Sequence, residues 1–477
     1  MTSRRAKIVC TLGPATSSLE QIKALMVAGM DVARLNLSHG AGEDHRETFR
    51  LIRQASAEVG KDVGILIDLQ GPKIRLGHFA EGPVQLAPGD TFTITTDDIL
   101  GGHDIVSTTH KNLTQDVAPG DTVLLDDGRL VLRVEDVKGP EVRTTVVVGG
   151  PISNSKGLNL PGVAVSVPSM SDKDIADLRL ALSLPADMIA MSFVRGPEDI
   201  EVVHKIMEEE GVRLPVMAKL EKPQMVERLE EVVNAFDAIM VARGDLGVEL
   251  PLEQVPMVQK RAIELCRRYA KPVIVATQML ESMISSPRPT RAEVSDVANA
   301  ILDGADAVMT SGETSVGRYP AETVATMARI CEAVEHEALD QLPAMPGPSR
   351  TVGGAIARAA VITGAALEVK ALCAFTQTGD TVRRLARHRN RIPLIAVTPD
   401  ENIRHHLAFT WGVESYVIPP VHHTDEMVRQ LDARLLDEGR LKEGDRVIIV
   451  AGSPPGTPGG TNAMRVHRIG VSRQARS

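Results

Sequence analysis

Aromatic residues make up only 2% of this 477-residue chain, with one tryptophan, three tyrosines and seven phenylalanines. Few rings for stacking bases and a net charge of −9 spread along the chain argue against a nucleic-acid partner. Cysteine is as scarce: Cys10, Cys266, Cys331 and Cys373 stand far apart without metal-ligand spacing. They read as buried thiols in a reducing, cytoplasmic compartment rather than as a disulfide framework or a zinc site. No apolar run approaches the ~18 residues of a membrane span, and the apolar start breaks at Thr11-Leu12-Gly13-Pro14, against a secretory leader. Neither a P-loop nor G-x-G-x-x-G occurs, so a nucleotide would be held by other means. The pairs His405-His406 and His422-His423 lack zinc spacing and read as surface residues.

What the chain does have is a repeated signature: small residues, an aspartate, an apolar run of strand length, then an abrupt polar residue. It occurs at Ala28-Gly29-Met30-Asp31, Pro185-Ala186-Asp187, Ala235-Phe236-Asp237 and Gly304-Ala305-Asp306. Helix, turn and buried parallel strand repeat in this way in α/β folds, with chemistry expected where each strand stops. Eight strand-like runs follow: Ala6 to Cys10, Val32 to Leu37, Val63 to Leu69, Met188 to Val194, Val216 to Leu220, Ala238 to Ala242, Val273 to Thr277 and Ala307 to Thr310. Eight strands with helical patterns between most of them predict a (β/α)8 TIM barrel over 1–71 and 169–343. Between them, 72–168 changes to short alternating segments and Gly/Pro/Asp turns, which predicts an inserted all-β domain. A proline-rich linker, Leu342 to Ser349, leads to a smaller α/β domain over 350–477, with strands expected at Ala371 to Phe375, Leu394 to Val397 and Arg446 to Val450.

Lys219 and Glu221 lie two apart at a strand end, so both leave on one face. Asp245 ends the next strand. Two carboxylates on adjacent strand ends, with no histidine or cysteine beside them, suit Mg2+ (Mn2+ as a substitute), which recruits waters and substrate phosphate oxygens. Arg34, Asn36 and Ser38 alternate onto one face of the second strand's end, and Asp68 and Arg75 flank the third. Arginines aimed into a barrel mouth match phosphate or carboxylate. Thr277 and the run Ser311-Gly312-Glu313-Thr314 end the seventh and eighth strands, where barrels often bind phosphate.

The stretches Ala33 to Gly40, Met240 to Gly247, Ala276 to Met283 and Ser311 to Thr314 strongly resemble the pyruvate kinase family, and the likeness runs over essentially the whole chain. It implies Mg2+-dependent phosphoryl transfer from phosphoenolpyruvate to ADP, giving pyruvate and ATP. It also implies that Glu221 and Asp245 hold the metal, that Lys219 sits beside the transferring group, and that Arg34 and Arg75 neutralise phosphate charge. By the same likeness Gly244, Asp245 and Thr277 fix the substrate, with Thr277, Ser311 and Glu313 in a proton relay, and His39 and Lys156 join Arg34 and Arg75 at the nucleotide. The inserted domain becomes a lid and the chain a homotetramer. The rival enzyme class is a Mg2+-dependent barrel lyase or aldolase acting on pyruvate or phosphoenolpyruvate.

Two departures from the family pattern matter. Many family members need K+, bound through positions matching Asn36, Ser38, Asp68 and the carbonyl of Leu69, with a glutamate where this chain has Lys73. The Lys73 ammonium is expected to replace the ion, giving activity without K+. In the third domain Thr376, Thr378, Gly379 and Thr381 match a phosphate-gripping effector loop, yet Asp380 and the loop Pro454 to Gly460 argue against fructose 1,6-bisphosphate. A sugar or nucleotide monophosphate is the expected effector.

Overall fold

The computed structural model describes residues 4–163, 165–345, 351–421, 423–455 and 459–471. Eight strands close into a barrel: β1 (Lys7–Thr11), β2 (Val32–Asn36), β3 (Gly64–Asp68), β4 (Met188–Met191), β5 (Val216–Leu220), β6 (Ala238–Ala242), β7 (Val273–Ala276) and β8 (Ala307–Thr310). All neighbours are parallel, and β8 pairs with β1 to close the ring. Every strand-like run read from the sequence is a strand here.

Strand periodicity of two explains why one strand serves core and site alike. Val9, Val32, Leu66, Met217, Met240, Ile274 and Met309 form one buried cluster in the lumen. Their chain neighbours Ile8, Ala33, Ile65, Ala218, Val241, Val275 and Val308 face outward into the core shared with the helices. Two residues beyond the lumen set, on the same face, stand Thr11, Arg34, Asp68 and Lys219 at the C-terminal rim.

The repeated aspartates do work at the opposite mouth. Asp31 accepts from the Ile8 N–H at 2.8 Å, Asp187 from Ile65 at 2.6 Å, Asp237 from Val216 at 2.9 Å and Asp306 from Val273 at 3.1 Å. Each aspartate N–H in turn donates to the carbonyl of that same residue. Aspartates leading β2, β4, β6 and β8 thereby brace the starts of β1, β3, β5 and β7, pairing strand ends that the ladder leaves open. Three also carry a cation: Arg4 on Asp31, Arg53 on Asp187 and Arg389 on Asp306. Burial works against ionisation of Asp31, but Arg4, Lys61 and Lys7 outweigh it and hold the carboxyl below its ordinary range.

The insertion has a core of its own around Phe92, Val106, Leu132 and Val146. Its six-stranded sheet runs in the order Leu158–Asn159, Thr122–Leu125, Leu130–Lys138, Glu141–Val148, Thr91–Thr95, Ile105–Ser107; Val84–Leu86 and Gly150–Ile152 form a separate pair. The C-terminal sheet comprises β9 (Ala371–Phe375), β10 (Leu394–Thr398), β11 (Val413–Val417), β12 (Arg446–Gly452) and β13 (Thr461–Arg468), ordered β11-β10-β9-β12-β13, with only β13 antiparallel. It has two strands more than the sequence reading expected. β11 carries the adjacent half-buried polar residues Glu414 and Ser415, and β13 is an edge, so neither is a continuous apolar run. Residues 346–350 of the linker, 456–458 of the Pro454 to Gly460 loop, and His422 lie outside the described residues.

The C-terminal domain closes the floor of the barrel. Ala408 and Phe409 join the lumen cluster, and a Cβ on Gly64 would sit 3.0 Å from the Phe409 ring, so a side chain there would push Phe409 back by a few tenths of an ångström. Trp411 donates its N–H to Asp306 at 3.0 Å, with Arg389 and Arg5 over its ring at 5.1 and 5.3 Å. His405 also belongs to this seam, 3.2 Å from Asp62 and 3.3 Å from Asp187, which corrects its reading as a surface residue. All four cysteines are free and buried, and burial raises the Cys10 and Cys331 thiols to about 12. Among the described residues no helix is long and apolar enough to cross a membrane.

Candidate active site

Lys219 is the centre of the rim. Its Nζ donates to Ser192 Oγ at 2.8 Å and lies 2.8 Å from Glu221 Oε1 and 3.5 Å from Asp68 Oδ1. Burial disfavours the ammonium, but Asp68 and Glu221 more than offset it and raise its pKa. Glu221 is fully buried; Oε2 accepts the Phe193 N–H at 2.7 Å. Burial and, after the opposing pull of Lys219, the charge of Asp245 push the Glu221 carboxyl upward. Glu221 follows the C-terminal end of β5 and Asp245 follows that of the adjacent parallel β6, so both lie at the same mouth of the barrel.

Two buried oxygens, Asp68 Oδ1 and Glu221 Oε1, have no hydrogen bond. Both are close to Lys219 but out of hydrogen-bond alignment. Lys219 is thus the counter-charge that balances these two buried carboxylates, through ion pairs rather than aligned hydrogen bonds. Among the described residues no three histidine, cysteine or acidic side chains gather as a metal cage. The two carboxylates Glu221 and Asp245 are thus the hard-oxygen pair available to a Mg2+ ion that takes its other ligands from water and substrate, and the donor set fits.

Arg34 is held by Asp68 Oδ2 (2.7 Å) and Thr11 Oγ1 (2.9 Å), which aims its guanidinium along the rim. Ser192 Oγ–H in turn donates to the Leu69 carbonyl at 2.7 Å. Of the positions matching a K+ site, Asn36 Oδ1 accepts the Ser38 N–H at 3.2 Å, while Asp68 and Leu69 are engaged as above. Lys73 stands apart from that set, 3.8 Å from Asp245 on the rim and 3.8 Å from Asp127 in the inserted domain.

Thr277 is held in a left-handed conformation (φ 69°), costly for a β-branched residue, and Gln278 follows at φ 54°. Arg243 fixes the turn, donating to the Thr277 carbonyl at 2.7 Å while clamped by both oxygens of Asp296. Gly244, expected to offer its N–H to substrate, donates instead to Thr277 Oγ1 at 2.8 Å. Glu313, expected in a proton relay, is spent on the backbone: Oε1 accepts from Leu280 (3.1 Å) and Oε2 from Ser311 (2.7 Å), tying the seventh and eighth rim loops together.

The remaining expected residues sit elsewhere. Arg75 donates to the Ser155 carbonyl at 3.1 Å and Lys156 pairs with Asp126 at 2.8 Å, both within the inserted domain, while the His39 carbonyl meets His45 Nε2 at 2.9 Å. Among the described residues no hydrogen bond or ion pair joins these three to the Lys219 cluster. Thr11, Ser192 and Phe193 were missed by sequence reasoning. For Thr11 and Ser192 the signal was available, since each continues the lumen-facing alternation of its strand. In the third domain Thr376, Thr378, Asp380 and Thr381 line a cavity of about 440 Å³, closed on other sides by Pro419, Met427 and Gly460. Gly379 turns the loop at φ 79°, its N–H on Thr376 Oγ1 at 2.8 Å, and Asp380 is neutralised by Arg384 at 2.6 Å.

Known proteins share this architecture and sequence. A family model described as pyruvate kinase, barrel domain, matches residues 3–324, and one described as pyruvate kinase, alpha/beta domain, matches 354–467. A pyruvate kinase of Mycobacterium intracellulare is 59% identical over 98% of this chain and 99% of its own length. One from Corynebacterium glutamicum is 55% identical over 98% of each. A crystal structure of a pyruvate kinase from Cryptosporidium parvum superposes with a TM-score of 0.90 at 36% identity, covering 98% of this chain and 97% of that one. The chain belongs to the pyruvate kinase family and is a phosphotransferase.

Proposed function

We propose that the rim transfers the phosphoryl group of phosphoenolpyruvate to ADP, with one Mg2+ held by Glu221 and Asp245. The buried Lys219–Glu221 pair, 2.8 Å apart with Asp68 beside it at the C-terminal rim, carries this reading. The metal, when bound, would neutralise negative charge shared by substrate and carboxylates. Lys219 presents a permanent positive charge to the phosphoryl oxygens, and Asp68, Glu221 and Ser192 keep it in place. Arg34, braced by Asp68 and Thr11, adds a second cation. Charges fixed before the substrate arrives cost no reorganisation in the transition state, which suits a reaction that is chiefly positioning and electrostatics. The Thr277 hydroxyl, which accepts from the Gly244 N–H and donates to the Ala276 carbonyl at 2.6 Å, becomes the candidate relay for the proton that turns enolate into ketone once substrate displaces these bonds. Arg75 and Lys156, both in the inserted domain, reach nucleotide phosphates as that domain moves as a lid over the rim.

Lys73, 3.8 Å from Asp245, brings a fixed positive charge to the rim from the Asp245 side rather than at the Asn36, Asp68 and Leu69 positions, in place of the charge K+ would bring, so activity persists without K+. The cavity at Thr376, Thr378 and Thr381 takes a phosphorylated monophosphate effector through hydroxyls and backbone amides. Exposed apolar residues on two faces, Leu252 and Met257 on the barrel and Met464 and Val466 on β13, are consistent with a homotetramer. The four buried thiols fit a cytoplasmic setting. A coupled assay for pyruvate and ATP from phosphoenolpyruvate and ADP tests the core reading: no ATP with Mg2+ present would refute it, and borohydride trapping of pyruvate on Lys219 would favour the aldolase alternative. In K+-free buffer the expected rate is near the full rate, and Lys73→Glu is expected to make the enzyme K+-dependent.

A further inference from the structure

Glu249 ends the helix Arg243–Glu249, whose first turn carries Gly244 and Asp245, and it is 6% exposed. A single oxygen, Oε1, accepts from Lys222 Nζ at 2.6 Å and from Asn159 Nδ2 at 2.8 Å. These partners come from two bodies. Lys222 directly follows Glu221, whereas Asn159 ends the short strand Leu158–Asn159 of the inserted domain. Lys222 also stands 5.5 Å from the ring centre of Phe193, the residue whose N–H orients Glu221.

The same loop supports both connections of the inserted domain to the barrel. Phe193, at φ 57°, packs its ring on Gly71 in the outgoing connection, where an added Cβ would come within 2.7 Å of Phe193 Cδ2. Arg195 donates to the carbonyls of Val165 (3.2 Å) and Val167 (2.9 Å) in the return connection. A rotation of the inserted domain about these connections moves Asn159 against Glu249, and Lys222 is the charge on the other side of the same oxygen.

We propose that Glu249 is a positioning residue for phosphoryl transfer, joining the docked inserted domain through Asn159 to the Glu221 loop through Lys222. Undocking removes the Asn159 donor and frees Lys222 and Phe193 to shift, so Glu221 is fully oriented only when the domain is down. A Lys222–Glu249 pair that served the barrel alone would not need the inserted domain's Asn159 on the same oxygen.

The test uses the full chain, and ATP formation by the wild type establishes the parent reaction before any variant is read. Asn159→Ala cuts only the inserted-domain half of the latch and leaves the barrel pair intact. Amide exchange over 158–160 is expected to accelerate about tenfold, and kcat to fall about tenfold while KM for phosphoenolpyruvate changes less than about twofold. Inorganic phosphate is expected to appear in place of part of the ATP, because water reaches the phosphoryl group. Lys222→Met is expected to lower kcat in the same way, and Lys222→Arg to restore most of it. Wild-type kcat and exchange in Asn159→Ala would overturn the proposal. So would losses in the Lys222 variants that merely follow their Tm, with no rescue by arginine and no change in the phosphate-to-ATP ratio.

Discussion

At the floor of the barrel each of the four strand-leading aspartates is answered by a backbone N–H, and three of them by a cation as well, whereas at the rim Asp68 and Glu221 each keep a buried oxygen that no hydrogen bond reaches. Both mouths are built from the same strands. The floor uses carboxylates to finish strand ends and is stoppered by Phe409, so its charges contribute stability. The rim buries Asp68 and Glu221 around Lys219, a gathering of charges that costs desolvation and is kept where a substrate and a cation can use it. The difference should therefore appear as a division of effects, with rim changes felt in kcat and floor changes in folding.

The largest effect is expected at the rim. Lys219→Met removes the charge that balances Asp68 and Glu221 and should lower kcat by about 10³-fold, measured in the coupled assay, with the folded state retained by circular dichroism. At the floor, Asp306→Ala strips Arg389, Val273 and Trp411 of their shared partner and should cost about 3 kcal/mol of unfolding free energy in urea titrations. The kcat of its folded fraction should stay within about twofold of wild type. A floor variant that loses kcat at wild-type stability would break the comparison.

A third expectation concerns pH. His388, beside the seam between barrel and C-terminal domain, has a buried Nε2 without a hydrogen bond. Burial first, then Arg387, Arg267 and Arg358, push its pKa down to about 4 from an ordinary 6.5. Between those values the unfolded chain binds a proton that the folded chain refuses, so stability is full above about 6.5, declines as pH falls toward 4, and loses nothing further from this group below that. His388→Gln should flatten that decline by on the order of 2 kcal/mol in unfolding curves taken at a series of pH values. The smallest effect is expected in the C-terminal cavity: Thr381→Val should bring the ratio of rates with and without a sugar monophosphate to about one.

The barrel was legible because strands buried on both faces are continuous apolar runs, and because alternation carries Val32 and Met217 into the core and Arg34 and Lys219 to the rim. The repeated aspartates were visible too, but the sequence reading tied the repeat to chemistry at the strand ends, and their own work is at the strand starts. Nothing local distinguishes an aspartate that caps a neighbouring strand from one that binds a ligand; only the register between strands does. The same limit hid Glu249, whose partners Asn159 and Lys222 lie far off in sequence, and hid the backbone amides of Leu280 and Ser311 that Glu313 serves at the rim. Phe409 and Trp411, two of the few aromatic residues, could not be placed at the seam without the docking of the third domain.

Binding of Mn2+ as a spectroscopic substitute for Mg2+, followed by electron paramagnetic resonance on the wild type, Glu221→Gln and Asp245→Asn, tests most directly whether the two rim carboxylates share one ion. One Mn2+ per chain, weakened at least about tenfold by each substitution, is the expected result. Unchanged affinity and stoichiometry in either variant would contradict it.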